Sequence, residues 1–570
     1  MGIGFRSPFG AGGGGNHQEK PAQDNTSIPP SSSTPSHSDN EAPTKYNEKS
    51  SATQENGQTQ IATATDGHPA AGGVIVEGDA TQLQRGLSGR HLNFIAIGGT
   101  IGTGFFLGSG TALSKAGPAG CLISYVFVGT ILWSVMVTLG EMATFIPTAG
   151  AFSAYATRFV DPSLGFAMGW LYWFSWAITY ALSLTASGLI IQYWNADFNI
   201  GIIIAIFWVV FTAVNYLPVR MYGELEMWLS SLKVITIVGF IIFGICVAAG
   251  VGAEGTLGFR YWRDPGPFAA YIEEGGTGMF VGFWAVLIQA SFAYQGAELV
   301  GVGAGEARDP RKTVPRAIRT TFWGIMFLFV ASIFLIGMLV PSDDPGLLTE
   351  SSNASASPLV IAATRAGVRV LPDIINAVLL TAVLSAANSN VYSGSRILVA
   401  LADEGQAWSV FKKTDKNGTP VVAVAVTSAF GLLGFLNLSS DGGKVFTWFL
   451  NISGVAGLIT WATTCLAYLG FLRAMRVQGL DRDVLPYRSM WQPYTAIYGL
   501  CANVLIALTQ GFTSFMPWNT ADFFAAYISL ILFVILWAGH KLVRRTGLVK
   551  PEDVDLVRGR LTCESDREEA

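Results

Sequence analysis

Hydrophobic positions in this chain do not alternate with polar ones; they run together for about twenty residues at a time, the length a helix needs to cross a bilayer. Such runs lie near 91–113, 120–144, 164–193, 200–218, 226–250, 278–303, 321–340, 373–401, 420–437, 446–470, 494–513 and 521–541. The pattern predicts an all-α integral membrane protein with about twelve transmembrane helices. Residues 1–85 read differently. They are rich in Ser, Thr, Asn, Gln, Gly and Pro, cannot bury enough apolar surface to offset chain entropy, and are predicted to be disordered. The organisation expected is therefore a tail over 1–85, a twelve-span domain over 86–543 and a short tail over 544–570. No apolar stretch follows Met1, so the first span is expected to serve as its own insertion signal.

Composition sharpens this picture. Only 13% of residues are charged and 51% are hydrophobic, against about one quarter charged in a soluble domain. The net charge of −4 gives no electrostatic support for nucleic-acid binding. The five cysteines show neither a disulfide framework nor zinc spacing. No nucleophile motif, His cluster or metal spacing points to an enzyme, and no cofactor motif is present. Orientation follows from the loops. With the N-terminal tail in the cytosol, one set of loops holds Arg158, Arg220, Arg308, Arg311, Lys312, Arg316, Arg319, Lys412, Lys413, Lys416, Arg473, Arg476, Arg482 and Arg488. The other holds Lys115, Arg260, Arg263, Arg365, Arg369 and Lys444. The asymmetry predicts both termini inside, and it places the sequon at Asn353 outside.

Two spans are interrupted by glycine. The first contains Gly98-Gly99-Thr100-Ile101-Gly102-Thr103-Gly104; the sixth contains Phe292-Ala293-Tyr294-Gln295-Gly296-Ala297-Glu298, then Gly301, Gly303 and Gly305. They stand five spans apart, which is the sequence pointer to a transporter built from inverted repeats. Unwound backbone is tolerated at membrane depth only where it is buried in protein or lines a cavity. A half-helix start offers N–H groups and a positive dipole end to a carboxylate, and spare carbonyls suit an ammonium. Those two chemistries match the backbone ends of an amino acid. The competing reading is close helix packing through small residues. Thr100, Gly102, Thr103, Gly104, Phe292, Ala293, Tyr294, Gly296 and Glu298 are the candidate substrate-binding residues.

At these residues the chain resembles the fungal amino-acid permeases of the amino acid–polyamine–organocation superfamily, from about Leu87 to the last span. Further anchors are Gly140-Glu141-Met142-Ala143-Thr144-Phe145-Ile146-Pro147, the run Asp309-Pro310-Arg311-Lys312-Thr313-Val314-Pro315-Arg316, Ser385 to Tyr392, and Asn451 to Gly457. The resemblance implies a LeuT-like five-plus-five inverted repeat followed by two further helices. It also implies proton-coupled uptake at the plasma membrane, with the proton gradient as the driving force.

Charges inside apolar spans are functional candidates by default. Lys233 lies in the fifth run, and the resemblance suggests that it links protonation to movement of the first and eighth spans. A lysine snorkelling from a helix end is the alternative. Glu298 is expected to receive a substrate amine or close a gate, and Phe292 to cap the substrate. Glu141, Glu224 and Glu226 are read as interfacial acids, with a structural or inner-gate role favoured for Glu141. Ser183 and Ser453 are the specificity candidates. Many relatives carry a glutamate in the third span where this chain has Ser183, and a hydroxyl cannot neutralise a substrate ammonium. Other stretches, such as Phe259-Arg260-Tyr261-Trp262-Arg263, look like the arginine and lysine permease branch. The missing acid nevertheless tilts the expectation toward broad or neutral amino acids. Basic amino-acid transport, another amine as cargo and a non-transporting amino-acid sensor are the alternatives. Lys20, Lys45 and Lys49 are, by analogy with the family, candidate acceptors for ubiquitin ligase machinery.

Overall fold

The computed structural model describes residues 89–560, apart from 149, 196, 218, 303, 305–308, 349–356, 417 and 439–441. The disordered-tail expectation for 1–85, Lys20, Lys45, Lys49 and the Asn353 sequon lie outside the described residues. Those residues belong to one unit, Ala71–Ala570. Among them the structure is helical, with no strand and two isolated bridges.

The first apolar run is a helix in pieces. α1 (Gly89–Thr100) stops at the glycines, α2 (Thr103–Phe106) restarts the helix, and α3 (Gly108–Phe145) continues it. α3 is itself two helices, because Gly117 takes φ 73° and is followed by Pro118. Neither residue can propagate a regular helix there, so the first span ends at Ala116 and the second begins at Pro118. α4 (Ala151–Phe159) is a short amphipathic helix before α5 (Pro162–Ile191), which Asp161 caps by accepting from the Ser163 N–H at 3.0 Å.

Next come α6 (Ile200–Val214), α7 (Val219–Ala248), the single turn α8 (Arg260–Arg263) and α9 (Gly275–Tyr294). α9 breaks at Gln295, and α10 (Leu299–Val302) resumes it. There follow α11 (Pro310–Leu339), α12 (Pro345–Leu348), α13 (Pro358–Arg365), α14 (Leu371–Asp403) and α15 (Val421–Ala429), the last extended by 3-10 turns to Leu438. α16 (Gly442–Val477), α17 (Tyr494–Thr509) and α18 (Thr520–Arg544) complete the bundle.

Ten of the described helices are long and apolar enough to cross a membrane. The other two runs are the broken first span and α6, whose 15 residues reach only about 22 Å at 1.5 Å per residue. Both ends of the bundle are tied by charge. On the side where α18 ends, Lys541 donates to Asp161, and the chain beyond it turns back so that the Val549 N–H donates to the Val160 carbonyl at 2.8 Å. Val554 and Leu556 are buried there against Phe145, Ile146 and Phe471. On the opposite side Arg365 of α13 pairs with Asp344 at 2.8 Å and Glu254 at 3.0 Å, and donates to the Tyr261 hydroxyl at 2.8 Å.

Candidate functional site

The two breaks face each other. Gly296 has φ +100°, a conformation L side chains avoid, and a Cβ there would stand 2.8 Å from the Gly99 carbonyl carbon. Glycine at this position therefore lets the sixth span touch the backbone of the first. Gly104 likewise packs on the backbone of Ala293, 2.9 Å from where its Cβ would be.

A cavity opens beside this contact. The first span contributes Gly99, Thr100, Gly102, Thr103 and Gly104 to its wall, and the sixth contributes Phe292, Gln295 and Glu298. α5 adds Tyr172, Ser175, Trp176 and Thr179, α14 adds Ala386 and Asn390, and α16 adds Gly457. Because α2 starts at Thr103, the Thr103 and Gly104 N–H groups have no intrahelical acceptor, and both residues line the cavity. Glu298 is 2% exposed. One of its oxygens accepts from the Gly296 N–H at 3.0 Å and the other from the Tyr172 hydroxyl at 3.4 Å. Its carboxylate is thus fixed by the break itself. The Gln295 amide donates to the Gly454 carbonyl at 3.0 Å, which ties the break to α16.

Of the sequence candidates, Thr100, Gly102, Thr103, Gly104, Phe292 and Glu298 line the cavity. Ala293 and Gly296 form the contact between the broken spans. Tyr294 turns the other way, into an aromatic cluster with Tyr125 and Phe329 at ring distances of 6.0 and 5.1 Å. Ser183 stands one turn beyond the cavity, where its hydroxyl accepts from the Asn390 amide at 3.2 Å. Ser453 sits behind the wall and accepts from the Thr179 hydroxyl at 2.9 Å.

The sequence reading missed Tyr172, Ser175, Trp176 and Thr179. Their spacing of i, i+3, i+4 and i+7 places them on one face of α5, and three hydroxyls, of Tyr172, Ser175 and Thr179, on such a face of an apolar span were the available signal.

Lys233 is 1% exposed, so it does not snorkel. Its ammonium donates to the Gly98 carbonyl at 2.7 Å, immediately before the first break. It also lies 3.7 Å from Glu226. Two acids read as interfacial are buried instead: Glu226 is 1% exposed and Glu141 fully buried. Glu141 accepts from the Tyr468 hydroxyl, from Arg482 at 2.6 Å, and from the Ser489 N–H and hydroxyl at 2.6 and 2.7 Å. Buried carboxylates persist when donors surround them, and these donors come from segments far along the chain. Glu224 is exposed, as an interfacial acid should be.

Comparison with known proteins agrees with this architecture. Residues 91–551 match the amino acid permease family model. The chain is 45% identical over 480 residues to a basic amino-acid permease of Saccharomyces cerevisiae, covering 83% of this chain and 84% of that one. It is 42% identical over 510 residues to a proline-specific permease of Emericella nidulans, covering 87% and 92%. A manganese transporter of Eremococcus coleocola shares the fold at a TM-score of 0.50 and 12% identity, over 83% of this chain and 98% of that one. The architecture is that of a five-plus-five inverted repeat, spans one to five and six to ten, with α17 and α18 added. This chain is a membrane permease rather than an enzyme, and it belongs to the amino acid permease family.

Proposed function

We propose that the protein takes up amino acids across the plasma membrane in symport with protons, both termini cytosolic, and that basic amino acids are its preferred cargo. One observation carries the preference. Among the described residues lining the cavity, Glu298 is the single charged side chain. A substrate with two positive groups and one carboxylate would be neutralised by it. A dicarboxylic substrate would meet no cation among the described lining residues, and burying unpaired charge is costly.

In this reading the substrate carboxylate rests on the N–H groups at the start of α2, and its α-ammonium on carbonyls at the end of α1. The side chain then reaches toward Glu298, Ser175, Thr179 and Asn390, whose oxygens can accept from an ammonium or a guanidinium. The similarity to a basic amino-acid permease supports the same reading. The lack of an acid at Ser183 carries less weight against it than the sequence suggested, because the cavity reaches only as far as Thr179 on α5. Lys233, held on the carbonyl before the first break, is the residue to which we assign proton coupling.

The test is uptake of radiolabelled lysine, arginine, proline, leucine and glutamate in a permease-deficient host, with and without a protonophore. Lysine and arginine should accumulate, and the protonophore should abolish accumulation. The variant Ser183→Glu should leave the substrate order unchanged. Preference for proline or leucine would overturn the basic assignment. No accumulation of any amino acid by protein present at the surface would overturn the transport reading in favour of a sensor.

A further inference from the structure

Glu226 is a buried acid that the substrate site does not use. It lies on α7 seven residues, close to two full turns, before Lys233, so the two side chains share a helix face. Its partners come from two elements. Both carboxylate oxygens accept from the Ser385 hydroxyl of α14 at 2.9 Å, and Oε1 also accepts from Ser230 at 3.2 Å. Lys233 lies 3.7 Å from Oε1 and turns its ammonium to the Gly98 carbonyl of α1. The fifth span thus presents one charge to the first span and the opposite charge to the eighth. The junction is tight as well: a Cβ at Gly98 would stand 1.8 Å from the Ser230 hydroxyl and 2.8 Å from Glu226 Oε1.

We propose that Glu226 is a positioning residue for coupling, one half of a two-residue element that fastens the first span through Lys233 and the eighth span through Ser385. This rests on the assignment of proton coupling to Lys233. The physical reason is charge balance. Together the two side chains carry no net charge into the membrane interior; either one alone is an unpaired buried ion, which is strongly unfavourable. Neutralising one partner therefore weakens the hold of the other, and the ties to α1 and α14 loosen together. A lone lysine would govern only the first span. A Lys–Glu pair makes release of the first span conditional on release of the eighth.

The experiment compares Glu226→Gln, Glu226→Asp, Lys233→Met and the double variant Glu226→Gln/Lys233→Met, reconstituted in proteoliposomes with the amino acid the wild type transports. Two readouts are taken: accumulation driven by a proton gradient, and counterflow exchange without one. Glu226→Gln should lose accumulation by about tenfold or more while keeping counterflow within about threefold, and the double variant should be no worse than the poorer single. Glu226→Asp should recover part of the accumulation.

Wild-type accumulation by Glu226→Gln, or additive losses in the double variant, would overturn the inference. An equal loss of accumulation and counterflow in both Glu226 variants would do so too, because a merely structural role predicts it. If Lys233→Met accumulates normally, the assignment of coupling to Lys233 itself fails. If Lys233→Met loses accumulation and Glu226→Gln does not, only the role of Glu226 fails.

Discussion

Glu226 and Glu141 are both buried acids paired with a cation, yet their surroundings differ in kind. Glu141 is saturated: four donors reach it, from Tyr468, Arg482 and Ser489, at distances no longer than 2.7 Å. None of these belongs to a broken span. Glu226 has longer contacts, 2.9 to 3.7 Å. Its partner Lys233 donates to the Gly98 carbonyl just before the first break. Charge-assisted bonds that are short and complete hold elements in one arrangement. A looser set shared between spans that frame a site can exchange partners. Burial and pairing alone thus do not identify a functional charge. What distinguishes Glu226 is contact, through Lys233, with the Gly98 carbonyl in the last turn of α1, just before the break.

The largest effect is expected from Glu141→Gln. Breaking a buried ion pair costs roughly 3–5 kcal/mol, and the lower end applies when the surviving cation can turn to water. Arg482 can do so, since its side chain is 30% exposed. The variant should lose about 3 kcal/mol of stability, read as a lower thermal midpoint in detergent and reduced surface expression. The molecules that reach the surface should keep their KM within about twofold. Full stability with loss of proton-driven accumulation would make Glu141 a coupling residue and erase the distinction.

A smaller effect is expected at Asp161, in the turn before α5. Burial raises its pKa, but donors from Lys541, the Ser163 N–H and Thr546 outweigh that and leave it below the ordinary 3.8. A carboxyl whose folded pKa is depressed adds stability that is complete above its unfolded value and is lost as pH falls through the folded one. Asp161→Asn should therefore lower the thermal midpoint at neutral pH, by about 1.5 kcal/mol of stability if it behaves as a hydrogen bond to a charged group. The gap to wild type should close below pH 3.8. A gap that persists in acid would mean that the cap acts through geometry rather than charge.

The spans were legible because crossing a bilayer imposes a length and an apolar composition that nothing else in the chain imitates. The gap between the first two runs, 91–113 and 120–144, holds Gly117 and Pro118, where the structure breaks the helix. The paired breaks were legible because unwound backbone needs glycine. Lys233 stood out as a cation inside an apolar run. Glu226 and Glu141 did not, because each lies near a helix end in sequence, where an acid normally meets water; the donors that bury them are up to 348 residues away. Ser183 drew attention by its place in the third span, but it is one turn past Thr179, and one turn decides whether a side chain lines the cavity or stands behind it. The Tyr172 to Thr179 face was readable in principle. It was passed over because its aromatic residues also suit lipid or helix packing.

In the proposed mode of binding an amino acid sits between the two breaks, with its carboxylate on the start of α2 and its cationic side chain toward Glu298. An experimental structure of the purified protein with bound lysine tests it most directly. Ligand density is expected in contact with Thr103, Gly104 and Glu298, and that density should be lost in Glu298→Gln. Density for lysine at another place, with this cavity empty, would contradict it.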